Sequence, residues 1–437
     1  MTIVHLRAEP ALRVQSRAGI VEFPVHHMRG GTSTGLVIWE KFAPSDIELR
    51  EELLRHLMGV PLHGARAGNR QITGLGRGPA TSNKVFFAET ETNDGKPRLV
   101  STLAQLASDH AAIDWSVNCG NMSAALPLWA LDSGLVAPAA PGGLFEIEIR
   151  NTNTGVVATG RMASDPAGGF AAAEIPGVDG AFPSIDLFLH HPVGAKTGRL
   201  LPTGRTRDLV AGHSVSCVDV AVPMVIADAA EFGKTAAEPI AELERDVAFM
   251  AALRAIWVEA GLRMGLKKRD GRLMTEDELR RSETIPKVCI VGPPRAGGSI
   301  AVRYFTPQTG HASMAVTGGC CLAAAALIPE SVAHRVATSL PAVGAEFAEF
   351  AVDIENPAGT LQATVVARAA GDALEVRSAA YRRSAQVLLR GHVPLYRASA
   401  KLRAALLDGI DGAGPALGAS LAAPEAGGSV DRRALSG

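Results

Sequence analysis

Two stretches set a cysteine among small residues just ahead of an Ala-rich run: Asn118-Cys119-Gly120-Asn121-Met122-Ser123 and Thr317-Gly318-Gly319-Cys320-Cys321. In the first, the pattern predicts a helix that begins near Cys119 and continues to about Leu131. Unpaired N–H groups and the helix dipole at such a start favour a bound carboxylate and a thiolate alike. A thiol held there can take a proton from a carbon acid or return one. A buried structural cysteine leaves the same pattern. The second stretch repeats the arrangement about 200 residues later. Cys320 and Cys321 are neighbours on a helix and face about 100° apart, so at most one reaches a shared cleft. His311, upstream of Thr317, either adds a polar contact there or is a hydrogen-bonded loop histidine.

Two more segments could act on an anion. Arg29-Gly30-Gly31-Thr32-Ser33-Thr34-Gly35 follows a β-type run, and its glycines allow backbone N–H groups to turn inward as an anion nest. A tight hairpin connection would need the same glycines. Thr81-Ser82-Asn83-Lys84 opens another β-type run. A lysine there can serve as acid or base in a partly desolvated cleft, or guard a strand edge against aggregation. Other chemistries drop out. Gly194-Ala195-Lys196-Thr197-Gly198 lacks the adjacent Gly-Lys of a phosphate loop, and Gly74-Leu75-Gly76-Arg77-Gly78-Pro79 has proline at the third glycine of a dinucleotide fingerprint. HExxH does not occur, and the neighbours in His26-His27 and His190-His191 point to opposite faces of a strand. A site without metal or cofactor is the expectation.

The positioning elements are mostly strands. Runs at Val21–Met28, Leu36–Trp39, Lys84–Ala88, Phe145–Arg150, Val215–Ala221, Val288–Val291, Ile300–Tyr304 and Leu361–Val366 have β character. Ser45 with Glu48 reads as a capping box, and 238–262 as a long helix broken near Gly261. The two cysteine-bearing stretches, one in each half, suggest two related domains, each presenting a helix N-terminus. We expect a loose leader over 1–19, domains over 20–197 and 198–408, with the last strand or helix able to return to the first domain, and a disordered Ala/Gly/Pro/Ser tail over 409–437. The 437 residues carry 43 Lys+Arg against 44 Asp+Glu, a balance that argues against nucleic acid or an anionic membrane as partner. No apolar run approaches the roughly 20 residues of a membrane span. Five cysteines, odd in number and without CxxC pairs, fit a reducing compartment, so a cytoplasmic location is expected.

Taken in order, Met28-Arg29-Gly30-Gly31-Thr32-Ser33, Thr81-Ser82-Asn83-Lys84, Asn118-Cys119-Gly120-Asn121 and the Thr317-Gly318-Gly319 helix form a set that resembles the PrpF-like isomerases. Leu200-Leu201-Pro202-Thr203-Gly204, the run from Glu355 to Leu361 and the run from Arg382 to Gly391 extend the resemblance over roughly 20–397. It implies an α/β diaminopimelate-epimerase-like fold, with two pseudo-symmetric domains, each a curved sheet around a central helix, and an active site in the cleft between them. It also implies proton transfer, as an allylic shift or a cis–trans isomerisation, in a small unsaturated di- or tricarboxylate without a cofactor. By that resemblance Lys84 and Cys119 are the acid/base pair. Arg29, Gly30, Gly31, Thr32, Ser33, Asn118, Gly120, Asn121 and Met122 would hold substrate carboxylates, with Thr317, Gly318 and Gly319 closing from the other domain; Thr81, Ser82, His311 and Cys320 are further candidate contacts by their positions beside these segments. A small polycarboxylate is the partner implied, and a homodimer is among the assemblies this allows. Relatives often carry lysine at Thr34 and serine at Asn83. The Cys320-Cys321 pair lies nearer to that of the racemases and epimerases. The alternative is therefore a two-thiol amino-acid epimerase using Cys119 and Cys320, which would have no need of Lys84. The substrate stays open.

Overall fold

A computed structural model describes residues 12–78, 83–115, 119–268, 270–371 and 373–411. The expected site residues Thr81, Ser82 and Asn118, and the tail from 412 onward, lie outside these.

The first half begins with β1 (Gln15–Arg17), which pairs with β2 (Ile20–Gly30). β2 and β3 (Ser33–Trp39) form a hairpin, and α1 (Ile47–Met58) leads to β4 (Lys84–Asn93), parallel to β3. β5 (Lys96–Leu106) folds back on β4, followed by β6 (Ile113–Asp114), α2 (Gly120–Ser123) and α3 (Ala125–Asp132). β7 (Leu144–Asn151) then runs parallel to β5, and β8 (Val157–Ala163), β9 (Ala172–Ala173) and β10 (Phe182–His190) complete this half.

The second half repeats the series. After β11 (Asp208–Val210) comes a hairpin of β12 (His213–Val220) and β13 (Val222–Asp228). Next are α4 (Ile240–Arg245), α5 (Val247–Arg263) and α6 (Glu276–Arg280), then β14 (Lys287–Gly292) parallel to β13 and β15 (Ile300–Phe305) folding back. α7 (Val316–Leu327) and α8 (Val332–Val336) precede β16 (Ala348–Asn356), parallel to β15, and then β17 (Gly359–Ala370). Hairpin, parallel return, antiparallel fold-back, helix and parallel return occur in the same order in both halves. β18 (Ala373–Pro394) joins them: its first part lies on β17 and β10, its second on β2. α9 (Ala400–Asp411) packs against α1. No helix among the described residues is long and apolar enough to cross a membrane.

Each half has a core built around one helix. α7 has only Thr317 outside the buried set and packs against β12, β13, β16, β17 and β18. Small residues make this possible. A Cβ on Gly318 would stand 2.6 Å from the Tyr304 ring, and one on Gly319 2.8 Å from the Tyr381 ring. Gly319→Ala is therefore expected to lower stability by about 1–3 kcal/mol, because overpacking outweighs the roughly 1 kcal/mol gained in helix propensity. Urea unfolding measures this, and an unchanged or raised midpoint would contradict it.

All eight runs read as strands fall in strands, except that Ala221, at φ +63°, turns between β12 and β13. Other expectations change. The cap of α1 is Asp46, whose side chain accepts from the amides of Glu48 and Leu49, in place of a Ser45–Glu48 box. The long helix breaks at Asp246, which caps α5 by accepting from the Phe249 amide, while Gly261 stays helical. The helix expected to run unbroken to Leu131 is split at Ala124, because Pro127 cannot donate to the carbonyl of Ser123 and its ring crowds it. The leader is not wholly loose, since Gln15–Arg17 is paired, and the segment assigned to the tail starts inside α9.

Candidate active site

Alternation along β4 sets Lys84 on the face shared with Phe86 and Ala88, which pack in the core around α3. Lys84 is only 4 % exposed. Burial pulls its ammonium below the ordinary lysine range, and the nearby Cys119 charge pulls it part-way back up. The half-buried Cys119 thus lies within electrostatic reach of the buried amine. Asn83, on the opposite face, holds the approach to Lys84: its Oδ1 accepts from the Arg77 amide, and its Nδ2 donates to Gln71 Oε1 and Gly78 O.

Cys119 is the N-cap residue of α2, half-buried, and makes no side-chain cap bond. Ala315, the N-cap of α7, has none to make. By contrast α1, α5, α6 and α8 are each capped by an Asp, Thr or Ser side chain. The first amide of α2 to bond back along the helix is Ser123 to Cys119 O, and the first of α7 is Gly319 to Ala315 O. The amides of Gly120, Asn121 and Met122, and of Val316, Thr317 and Gly318, precede these and have no intrahelical acceptor. The two starts face one another. A Cβ on Gly120 would stand 3.4 Å from the Val316 side chain.

The Arg29–Ser33 segment has a different place from the one expected. Gly31, at φ +54°, turns the β2–β3 hairpin, and its amide donates to Ser384 O at 2.9 Å, so it is not turned toward a ligand. Arg29 Nη1 donates to Gly31 O, Ser384 O and Ser384 Oγ, and its guanidinium lies over the Phe182 ring. Arg29 therefore fastens the turn to β18. A Cβ on Gly31 would meet Asn121 Oδ1 at 2.6 Å, and Asn121 Nδ2 donates to the exposed Thr32 Oγ1. The turn clasps the start of α2, with Ser33 buried at its end.

Cys320 needs correction as a substrate contact. It is fully buried in the core around α7, and burial pushes its thiol up to about 12. The α7 side chain that meets the start of α2 is Val316, against Gly120. Cys321 is equally buried, with its thiol 3.6 Å from Val218 O. The Gly194–Gly198 loop is filled from within: the amides of Lys196 and Thr197 and the Thr197 hydroxyl donate to Asp219 Oδ2 at 2.8, 2.8 and 2.9 Å.

A family model described as PrpF protein matches residues 20–396. The chain belongs to the PrpF family. Among PrpF relatives, 4-oxalomesaconate tautomerase of Pseudomonas putida is 33% identical over 360 residues, spanning 80% of this chain and 94% of the relative. The (4E)-oxalomesaconate Delta-isomerase of Novosphingobium sp. is 32% identical over 370 residues, spanning 85% and 96%. The crystal structure of a methylitaconate-delta-isomerase has the same fold, with a TM-score of 0.72 at 26% identity over 88% of this chain and 97% of that one. The expected diaminopimelate-epimerase-like architecture is the one present.

One candidate residue beside Cys119 escaped the sequence reading. Arg383, from the part of β18 that crosses between the halves, is 5 % exposed and is acted on by Cys119, Cys320 and Tyr381. Its Nη1 donates to Arg382 O and its Nη2 to Met314 O at 3.4 Å, while Nε has no acceptor among the described residues. Its guanidinium lies 4.4 Å from the Tyr381 ring centroid. Its neighbour Arg382 points outward to Asp186. A buried guanidinium that pairs with no carboxylate among the described residues is costly, and an anionic ligand would offset that cost. The signal was available: Ala379, Tyr381, Arg383 and Ala385 alternate along one face, and three of the four are core residues.

Proposed function

We propose that this PrpF-family chain is a cofactor-independent isomerase that moves a proton within a small unsaturated di- or tricarboxylate. Oxalomesaconate-type acids are the first candidates, since two relatives named for them are 32% and 33% identical. The observation that carries the reading is that the half-buried Cys119, at the start of α2, acts on both the buried Lys84 and the buried Arg383.

The reaction removes a proton from carbon, spreads the charge into a carboxylate and reprotonates another carbon. Lys84 and Cys119 perform the two transfers, one as base and one as acid. The developing anion is held by the open amides of α2 and α7 and by the Arg383 guanidinium, fixed donors that need no reorganisation. One such donor contributes about 3 kcal/mol, so several together exceed the roughly 3–5 kcal/mol of a general acid or base. The two-thiol epimerase reading loses its second thiol with the burial of Cys320. Five free thiols suit a reducing compartment, and the cytoplasm is the location proposed.

The test is incubation of the purified protein with cis- and trans-aconitate, 2-methylaconitate, methylitaconate, oxalomesaconate and L-diaminopimelate, with products resolved by chromatography. Conversion of at least one unsaturated acid is expected. Epimerisation of diaminopimelate alone would overturn the reading.

A further inference from the structure

The repeated topology gives Lys84 a counterpart. Lys84 opens β4, which returns parallel to β3 with Gly35 opposite Lys84. Lys287 opens β14, which returns parallel to β13 with Met224 opposite Lys287. Alternation puts Lys287 on the face of Cys289 and Val291, which pack in the core around α7, as it puts Lys84 on the face toward α3. Lys287 is half-buried and forms no ion pair among the described residues. Burial alone bears on its ammonium, pulling it down to about 8.

His311 connects this lysine to the cleft. Its ring meets the Tyr304 ring edge-on at 5.9 Å, and Tyr304 lies against Gly318 in the first turn of α7. The charges acting on His311 are those of Arg383 and Lys287. Arg383 in turn feels Cys119, and Cys119 acts on Lys84. The register sets the pair on one side of the sheet: Tyr304 lies opposite Cys289, two residues along the face of Lys287, the His311 amide donates to Tyr304 O at 2.8 Å, and Arg383 Nη2 donates to Met314 O three residues beyond His311. His311 Nδ1 accepts from the Ser313 amide at 3.0 Å, which leaves Nε2 to carry the proton of the neutral ring and to donate.

We propose that Lys287 and His311 form a second anion subsite that holds a carboxylate remote from the reacting carbon and gives the protein its preference for tri- over dicarboxylates. The proposal rests on the isomerase reading for what the cleft holds. The second half has the lysine but no thiol at the start of its helix, so this pair can bind an anion and lacks the partner that Lys84 has for moving a proton. A lysine as a point charge and a neutral imidazole N–H together suit one terminal carboxylate.

The test uses two saturated acids that cannot undergo an allylic shift, tricarballylate and glutarate, titrated calorimetrically into the full chain and its variants. Losing a charge-assisted contact costs a factor of about 10 or more in affinity. Lys287→Met should weaken tricarballylate at least about tenfold and glutarate by less than about threefold, whereas Lys287→Arg, which keeps the charge, should hold tricarballylate within about threefold of the parent. Equal weakening of both acids, or none for tricarballylate, overturns the subsite, as does a parent that binds neither acid. Circular dichroism checks the fold. Should Lys287→Met not fold, His311→Phe gives the same comparison through the partner group, with the same selective loss expected and an unselective one overturning the proposal. Because binding is read without turnover, a parent that binds tricarballylate through Lys287 but converts no unsaturated acid would sink the reaction and leave the subsite. A parent that converts such acids without this selectivity would do the reverse.

Discussion

Replacing Lys84 by methionine is expected to lower kcat by at least about 100-fold, the ordinary contribution of a positioned acid or base. Lys84 has few rivals for that work in the described first half of the cleft. It is nearly inaccessible, its ammonium is held below the ordinary range by burial, and Cys119 is the charge that acts on it. The same burial gives a second expectation about stability. The folded-state value lies below the unfolded one, so the folded protein disfavours the charged lysine. That cost is present in full below the folded value and fades as pH rises through the unfolded value. At neutral pH the methionine variant should therefore unfold at a urea midpoint no lower than the parent's. Activity lost together with stability would mean that Lys84 is a structural residue. Activity retained would remove it from the mechanism.

Cys119→Ser should also cost about 100-fold or more, for a different reason. Serine keeps the shape of the α2 start and its hydroxyl can occupy the place of the thiol. Its proton is held far more tightly than a thiol's, so it neither accepts nor returns one at the same rate. The cap itself is not at stake, because Cys119 makes no side-chain cap bond. Stability should therefore change little, and a substrate-like acid should still bind. Rapid-quench kinetics separate the cases: a loss in the chemical step with affinity retained supports a proton-transfer role, and a loss of affinity alone would reduce Cys119 to a binding contact.

Much of this was legible in the sequence because the inner strands are written in Val, Ile and Phe. Val85-Phe86-Phe87 announces β4 and so places Lys84 at its start. β18 was harder. Its 22 residues carry arginines at 377, 382, 383 and 390, so a window tuned to apolar runs passes over it, and Arg383 went with it. Only the period-two pattern from Ala379 to Ala385 separates the inward Arg383 from the outward Arg382. Arg29 is placed differently from the expectation, with Nη1 engaged and Nε and Nη2 without partners among the described residues. A guanidinium beside glycines suits an anion site, but the alternation of β2 turns it away from α2, to the carbonyls of Gly31 and Ser384. Gly261 looked like a helix end, yet a Cβ there would stand 2.8 Å from Leu279 Cδ2, so close packing of α5 on α6 accounts for it. Cys320 resembled a second thiol because spacing along a helix shows that a residue can face a cleft, not that it does.

The central claim is that Lys84 and Cys119 pass a proton to and from carbon. Proton NMR in D₂O tests it most directly, following an oxalomesaconate-type acid with the parent, Lys84→Met and Cys119→Ser. The parent should place solvent deuterium on the carbon that is reprotonated, with the vinyl signal shifting as the double bond moves, and each variant should slow that incorporation by at least about 100-fold. Isomerisation by the parent at full rate in both variants, with deuterium entering at the parent's pace, would contradict it.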